Sequence, residues 1–396
     1  MRILMLSWEY PPHIVGGLGR HVTDLTAALS QLGIDVHVVT PQLNQGDRYE
    51  VTAMGVTVHR VAAPPLADQT FVGFVQEMNR GLAAAALDAR RRSGDFDVIH
   101  AHDWLVAQAA IMLKQAWHRP LITTIHATER GRQQGHVAGD HSAQIDRLER
   151  LLTGEAWRVI TCSRYMAQEV QSYFGTAGEK IDVVPNGVVV RGCPFESDRE
   201  RREFRRRFAA DDQPLVFYVG RIVYEKGLHI LLDAWPRVLL HMPQARLIIA
   251  GAGAYLDALR QRAWDLGIIE RVFFPGYVSD EERDRLYHVT DAAVFPSLYE
   301  PFGIVALEAM AAGCPVIVAQ TGGLGEVVSL HETGLTIYPN NVESLVWGIL
   351  HTLAHPRWSQ ERATNALREV RERYSWHTIA RTTAEIYRRA CVEWQV

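Results

Sequence analysis

Runs of four to six apolar residues alternate along this chain with longer segments whose apolar positions return every three or four residues. The first rhythm is that of buried strands, the second that of helices packed on one face. Residues 3–6 read as a buried strand, and a proline- and glycine-rich loop covers 11–19. Val22, Leu25, Leu29 and Leu32 then mark one face of a helix that Gly33 ends, with 36–39 as the next strand. Strand-like runs follow at 56–61, 98–100, 121–125, 159–161 and 181–184, with helical patterns separating most of them. The same grammar returns at 215–219, 246–250, 272–274, 292–295, 316–318 and 335–337, with helices at 228–240 and 256–266 between them. Strands alternating with helices predict an α/β protein built on parallel sheets with helices on both faces.

The rhythm breaks after Pro185-Asn186-Gly187, so the expected domains are 1–187 and 188–374. At 396 residues the chain is long enough for two such cores. The arginine-rich run at 198–207 is interleaved with Glu200 and Glu203 and carries Phe204 and Phe208 four apart, which reads as a solvated helix opening the second domain. The last segment, 375–396, is helical, with Trp376, Ile379, Ala380, Ile386 and Tyr387 as its apolar positions.

Composition narrows the function classes without choosing one. Hydrophobic residues make up 47% and charged residues 22%, as in an ordinary soluble protein. A net charge of −4 gives no reason to expect nucleic acid as a partner. Cys162, Cys193, Cys314 and Cys391 have neither metal-ligand nor disulfide spacing, which fits a reducing, cytoplasmic setting. The apolar run at 3–6 is too short for a signal peptide, and no stretch is long enough to span a bilayer. Lysine occurs only at 114, 180 and 226 while arginine fills every other basic position, so Lys226 beside Gly227 marks a place suited to a compact ammonium.

The richest chemistry lies in Glu300-Pro301-Phe302-Gly303-Ile304-Val305-Ala306-Leu307-Glu308. Pro301 suits a first helical turn, which makes Glu300 the cap and leaves the N–H groups of Phe302, Gly303 and Ile304 for an anion. Glu308 is then a carboxylate on an otherwise apolar helix, two turns or roughly 12 Å further on, and it needs partners there. An internal salt bridge is the plain alternative. Gly16, Gly17 and Gly19 open the first helix after the first strand, where an open α/β sheet binds ligands. Gly251-Ala252-Gly253 forms a second such turn. Arg221 and Lys226 flank a strand-to-helix loop and can clamp a diphosphate. His126 follows the strand at 121–125, with Glu129, Arg130 and Arg132 behind it; His102-Asp103-Trp104 precedes them, Asp103 doubling as a possible helix cap.

Taken in order, Gly16-Gly17-Leu18-Gly19, His102-Asp103-Trp104, His126, Pro185-Asn186-Gly187, Gly220-Arg221 with Lys226-Gly227, Glu300 to Glu308 and Gly322-Gly323 resemble the retaining glycosyltransferases of family 4, in particular their glycogen- and starch-synthase-like members. The resemblance runs from residue 2 to about 390 and implies a GT-B fold: two Rossmann-like domains facing across a cleft, the first on the acceptor side, the second binding nucleotide-sugar, and a final helix that crosses back to the first. It implies Arg221, Lys226, Glu300 and His126 as catalytic residues. Gly16, Gly17, Phe302, Gly303 and Ile304 join the donor site, with Glu300 on sugar hydroxyls and Glu308 on the ribose. His102, Asp103, Trp104, Glu129 and Arg130 fall on the acceptor side, Trp104 offering a face for a sugar. The resemblance is not to the other large glycosyltransferase fold, in which a D-x-D pair holds a divalent metal, so no metal and no cofactor are expected, and the partners are a nucleotide-sugar and a carbohydrate.

The implied reaction moves glucose from ADP-glucose or UDP-glucose to an α-glucan or maltooligosaccharide. A sugar phosphate, small molecule or lipid-linked acceptor is the alternative, and a nucleotide-sugar-binding protein the non-enzymatic one. A UDP-GlcNAc 2-epimerase shares the fold but not these motifs. Ile14-Val15 stands where larger glycogen synthases carry Lys-Thr, and Val189 stands where many members have an acid after Pro-Asn-Gly-Val.

Overall fold

The computed structural model describes residues 1–43, 45–65 and 70–394. It divides into two compact units, Met1–Gly187 with Trp376–Val396, and Val188–Ser375. Each is a parallel sheet covered by helices, with one antiparallel edge strand in the first.

Unit 1 holds eight strands: β1 (Arg2–Leu6), β2 (Asp35–Gln42), β3 (Tyr49–Val51), β4 (Thr57–Ala62), β5 (Val98–His102), β6 (Leu121–Ile125), β7 (Arg158–Thr161) and β8 (Ile181–Val183). Their order is β3-β4-β2-β1-β5-β6-β7-β8, and every pairing is parallel except β3 with β4. The chain builds outward from β1 in one direction and then returns to lay β5 on its other side, with Ile3 opposite both Val36 and Val98. That reversal opens a crevice beyond the C-terminal ends of β1 and β5, where doubly wound sheets bind ligands.

The final helix, Trp376–Glu393, belongs to this unit. Its Trp376, Ile379, Ala380, Ala384, Tyr387 and Ala390 join Ile3, Met5, Val22, Leu25 and Leu29 in one core. Each large apolar side chain so buried contributes about 1.5–3 kcal/mol. The Tyr387 hydroxyl also meets His100 Nδ1 at 2.7 Å, tying the helix to β5. Gly187 lies where an added Cβ would run into the Trp376 indole, so the Pro-Asn-Gly corner can only pack with no side chain there.

Unit 2 holds β9 (Leu215–Val219), β10 (Arg246–Ala250), β11 (Val272–Gly276), β12 (Ala292–Phe295), β13 (Val316–Ala319) and β14 (Leu335–Ile337), in the order β11-β10-β9-β12-β13-β14 and wholly parallel. Its reversal falls between β9 and β12. The charged run becomes the helix Asp198–Arg205, capped by Ser197 and anchored through buried Phe204.

Every strand expected from the apolar runs is present, some with the expected ends, as at 121–125, 215–219, 246–250, 292–295 and 335–337, and the others shifted by one to three residues. β5 extends two residues past the expected stop because His100 and His102 are buried and paired inside the sheet, a role their polarity hides from a hydrophobic count. β3 was not expected; it is three residues long with no buried position, so it carries no apolar signature. Among the described residues no helix is long and apolar enough to cross a membrane, and all four cysteines are free.

Candidate active site

In unit 2 the loops after β9, β12 and β13 meet at the reversal point. Leu298 and Tyr299 donate their N–H groups to the Glu225 carbonyl at 2.8 and 3.3 Å, Gly323 N–H donates to the Glu300 carbonyl at 2.9 Å, and Thr321 Oγ1 to that of Leu298 at 3.1 Å. Gly227 sits at φ +68° pressed against the Pro296 carbonyl, with no room for a Cβ. This interlock sets Lys226 Nζ 2.6 Å from Glu300 Oε2, both side chains largely buried at 14% and 12% exposure. Ser297 Oγ approaches the same oxygen at 3.5 Å. Arg221 stays about half exposed, 3.6 Å from Glu225.

The helix expected to start at Pro301 starts at Ile304. Glu300 is therefore not its cap. Gly303 takes that place at φ +102°, where a side chain would be strained and would strike Leu324. Phe302 is buried against Tyr374, and Gly323 packs on Pro301 and Phe302, so the chain turns three residues longer before the helix begins. The anion-facing groups move with it: among the described residues the N–H groups of Gly303, Ile304 and Val305 make no hydrogen bond. Glu308 lies on this helix 3.4 Å from Arg283 Nε. Burial opposes the charge on Arg283, but Glu308, Asp280 and Asp284 outweigh that and hold it raised. The salt-bridged alternative for Glu308 is thus present in the fold.

In unit 1 the corresponding rim is filled with internal partners. Glu9 Oε2 accepts from the N–H groups of Val15, Gly16 and Gly19 at 2.9, 3.0 and 3.3 Å. A carboxylate thus occupies most of the glycine turn expected to meet a phosphate, while Gly17 and Leu18 keep N–H groups without a partner among the described residues. Asp103 does not cap the short helix that follows it. At φ +60° it turns back, and its Oδ1 accepts from the N–H of His126 at 2.7 Å. Burial pushes the Asp103 carboxyl up to about 7 despite that bond.

Glu129 and Arg130 also face inward. Glu129 is buried, accepting from Ser142 Oγ at 2.5 Å, and its N–H donates to both oxygens of Glu149, whose carboxyl burial pushes up to about 8. Arg130 is paired with Asp146 at 2.6 Å. Trp104 is buried edge-on to Phe71 and shows little face to a sugar. His102 Nδ1 and His126 Nε2 share a hydrogen bond at 3.0 Å, and burial holds both imidazoles well below their ordinary pKa.

Known proteins match this chain along its whole length. The "Glycosyltransferase Family 4" profile covers residues 15–191, and "Glycosyl transferases group 1" covers 200–370. A glycogen synthase of Mycobacterium tuberculosis is 39% identical over 98% of this chain and 94% of its own. The chain belongs to glycosyltransferase family 4. An uncharacterized glycosyltransferase of Methanocaldococcus jannaschii is 37% identical over 98% of both chains. Among solved structures, sucrose-phosphate synthase from Thermosynechococcus elongatus superposes with a TM-score of 0.86 at 26% identity, covering 98% of each chain. The fold is GT-B, as the motif order implied, and the protein is a glycogen- and starch-synthase-like glycosyltransferase.

For this glycosyltransferase the structure gathers Lys226, Glu300 and the 303–305 turn on one rim, and His102, Asp103 and His126 on another. Three residues of the sites escaped the sequence reading: Glu9, Glu149 and His21, whose Nδ1 lies 2.7 Å from Asn186 Oδ1. None belongs to a run with a chemical signature. Only the tertiary fold makes Glu9 a cap for the glycine turn and brings His21 to His102 of β5 and to His126, which follows β6.

Proposed function

We propose that this glycosyltransferase moves glucose from ADP-glucose or UDP-glucose to an α-glucan or maltooligosaccharide, retaining the anomeric configuration and needing no metal. The observation that carries the reading is the Lys226–Glu300 contact at the reversal point of the unit 2 sheet. Arg221 and Lys226 neutralise the departing nucleotide diphosphate, the charge that a divalent ion supplies elsewhere. Glu300, held by Lys226, accepts from hydroxyls of the donor sugar. The N–H groups around Phe302, Gly303 and Ile304 meet sugar and phosphate, and Glu308, steadied by Arg283, accepts from the ribose. His126 contacts the transferring sugar, and Gly16 and Gly17 the donor phosphate, Gly16 only once Glu9 yields its N–H. His102 and Asp103 hold His126 in place; Trp104, Glu129 and Arg130 shape the acceptor side from beneath, since none presents a free face. The 39% identity to a glycogen synthase over nearly the whole chain supports glucose and glucan. The free cysteines support a cytoplasmic setting.

A sugar-phosphate or other small acceptor is the second reading, favoured by the likeness to sucrose-phosphate synthase. Nucleotide release from a panel of ADP-, UDP- and GDP-sugars, with and without maltooligosaccharide, decides. Release from ADP- or UDP-glucose that rises with glucan is expected. Release indifferent to glucan favours the small acceptor, and binding without any turnover favours a nucleotide-sugar-binding protein. Activity is expected to survive EDTA; its abolition would remove the metal-free mechanism.

A further inference from the structure

His21, His102 and His126 each bring a ring nitrogen to within 4.8 Å of the other two. Their ring centres are 4.7 Å apart for His21 and His126, 5.5 Å for His21 and His102, and 5.3 Å for His102 and His126. His100 is as close, 4.3 Å from His102, but its chemistry is closed: Nδ1 meets the Tyr387 hydroxyl at 2.7 Å and Nε2 meets Thr124 Oγ1 at 2.8 Å.

His21 and His102 are left open. Nδ1 of His21 faces Oδ1 of Asn186, and an amide oxygen only accepts, so Nδ1 carries the proton and Nε2 holds a lone pair. That Nε2 is buried with no hydrogen-bond partner among the described residues, and so is Nε2 of His102. The two residues are 4% and 0% exposed. A buried polar atom without a partner is unfavourable unless something fills the place. His126 is half-buried, so a small ion can reach the group from its side.

We propose that His21, His102 and His126 form a binding site for a divalent transition metal of the zinc class, and that filling it withdraws His126 from sugar transfer. Imidazole nitrogens suit zinc, copper and nickel, whereas magnesium and calcium take oxygen ligands. Three neutral imidazoles offer three lone pairs, so the ion binds without releasing a proton from them and leaves a fourth position for water. Bonds of about 2.1 Å in a tetrahedral site set the ligand nitrogens about 3.4 Å apart. The rings therefore draw in from their 4.8 Å limit, and the His102–His126 hydrogen bond is exchanged for two metal–nitrogen bonds. Asn186 fixes the tautomer of His21 in the way carbonyl and carboxylate partners orient metal-bound histidines. The metal-binding claim stands on this geometry alone; the inhibition claim rests on the role proposed for His126.

The test is equilibrium dialysis of the full chain against Zn²⁺, with Co²⁺ absorption as a second readout. It is done in a His351→Ala, His355→Ala background, which removes a second pair of close imidazoles, 4.5 Å apart, from competition for the ion. One ion per chain and the intense visible bands of four-coordinate Co²⁺ are expected. His21→Gln and His102→Gln should each weaken binding by about 100-fold or more, and Asn186→Ala by about 10- to 100-fold. Circular dichroism confirms that each variant is folded. Where one is not, the stoichiometry and Co²⁺ spectrum of the background protein decide. No bound ion, or an affinity unmoved by both histidine changes, overturns the site. Zinc that binds at one equivalent yet leaves transfer unchanged overturns the inhibition. If the chain turns over no sugar, the binding test still stands, so the two readings fail separately.

Discussion

The same doubly wound topology yields two rims of opposite character. In unit 1 the reversal point beside β1 and β5 is closed by the chain's own groups: Glu9 on the glycine turn, Asp103 on the N–H of His126, and Glu149 on that of Glu129. In unit 2 the reversal point beside β9 and β12 keeps a lysine–glutamate contact, a half-exposed arginine and several N–H groups with no partner among the described residues. The sheet decides where a site can be. The loop residues decide whether an incoming anion finds it filled or open. On this comparison the rim proposed to take the nucleotide diphosphate is that of unit 2, while the unit 1 rim presents imidazoles that burial keeps largely uncharged.

The comparison breaks most visibly at Lys226. Lys226→Ala removes the ammonium proposed to neutralise the leaving group, so turnover should fall by about 10²–10³, as on loss of other transition-state donors. Wild-type turnover in a donor-release assay would take Lys226 out of the site. Next in size is Glu308→Gln, which keeps the shape but removes the charge. Affinity for free ADP or UDP should drop roughly tenfold, since a hydrogen bond to a charged group is worth about 1.5–3 kcal/mol. A lowered melting temperature with unchanged nucleotide affinity would instead make Glu308 simply the partner of Arg283.

A smaller effect sharpens the unit 1 side. Asp103 near 7 and Glu149 near 8 lie above their ordinary values of 3.8 and 4.5, both through burial. The folded chain holds protons that the unfolded chain releases, so these groups cost stability as pH rises through their folded pKa values. His21 near 4 and His100 near 3, lowered from 6.5 by burial, act with the opposite sign and cost stability as pH falls below 6.5. Between pH 6.5 and 8 the two carboxyls alone lower stability by about 2 kcal/mol, and each lowered histidine returns about 0.4 kcal/mol because half of its unfolded imidazole is still protonated at pH 6.5. Denaturant titrations of wild type and Glu149→Gln at the two pH values cancel the histidine part, and wild type should lose about 1.5 kcal/mol more than the variant over this interval. An equal change in both proteins would place the titration elsewhere.

Much of this was legible in the residues because both sheets are parallel and buried, so each strand announces itself as an apolar run. The Glu300 to Glu308 segment and the isolated Lys226 likewise pointed to the rim on which Lys226 meets Glu300. The start of the following helix was not legible, since Pro301 suits a first turn as well as the turn that Gly303 and Gly323 impose. The inward turn of Glu129, Arg130 and Trp104 was hidden as well. Their partners Ser142, Glu149, Asp146 and Phe71 lie on other helices, and no local pattern says which way a polar loop residue faces.

The most direct test of the contrast is a calorimetric titration of ADP and UDP into wild type, Lys226→Ala and Glu9→Gln. Lys226→Ala should weaken the preferred nucleotide at least about tenfold, as loss of a charged partner does. Glu9→Gln, which alters a turn the chain already fills, should stay within about twofold. Loss of binding in Glu9→Gln with none in Lys226→Ala would place the diphosphate on the unit 1 turn and contradict the account.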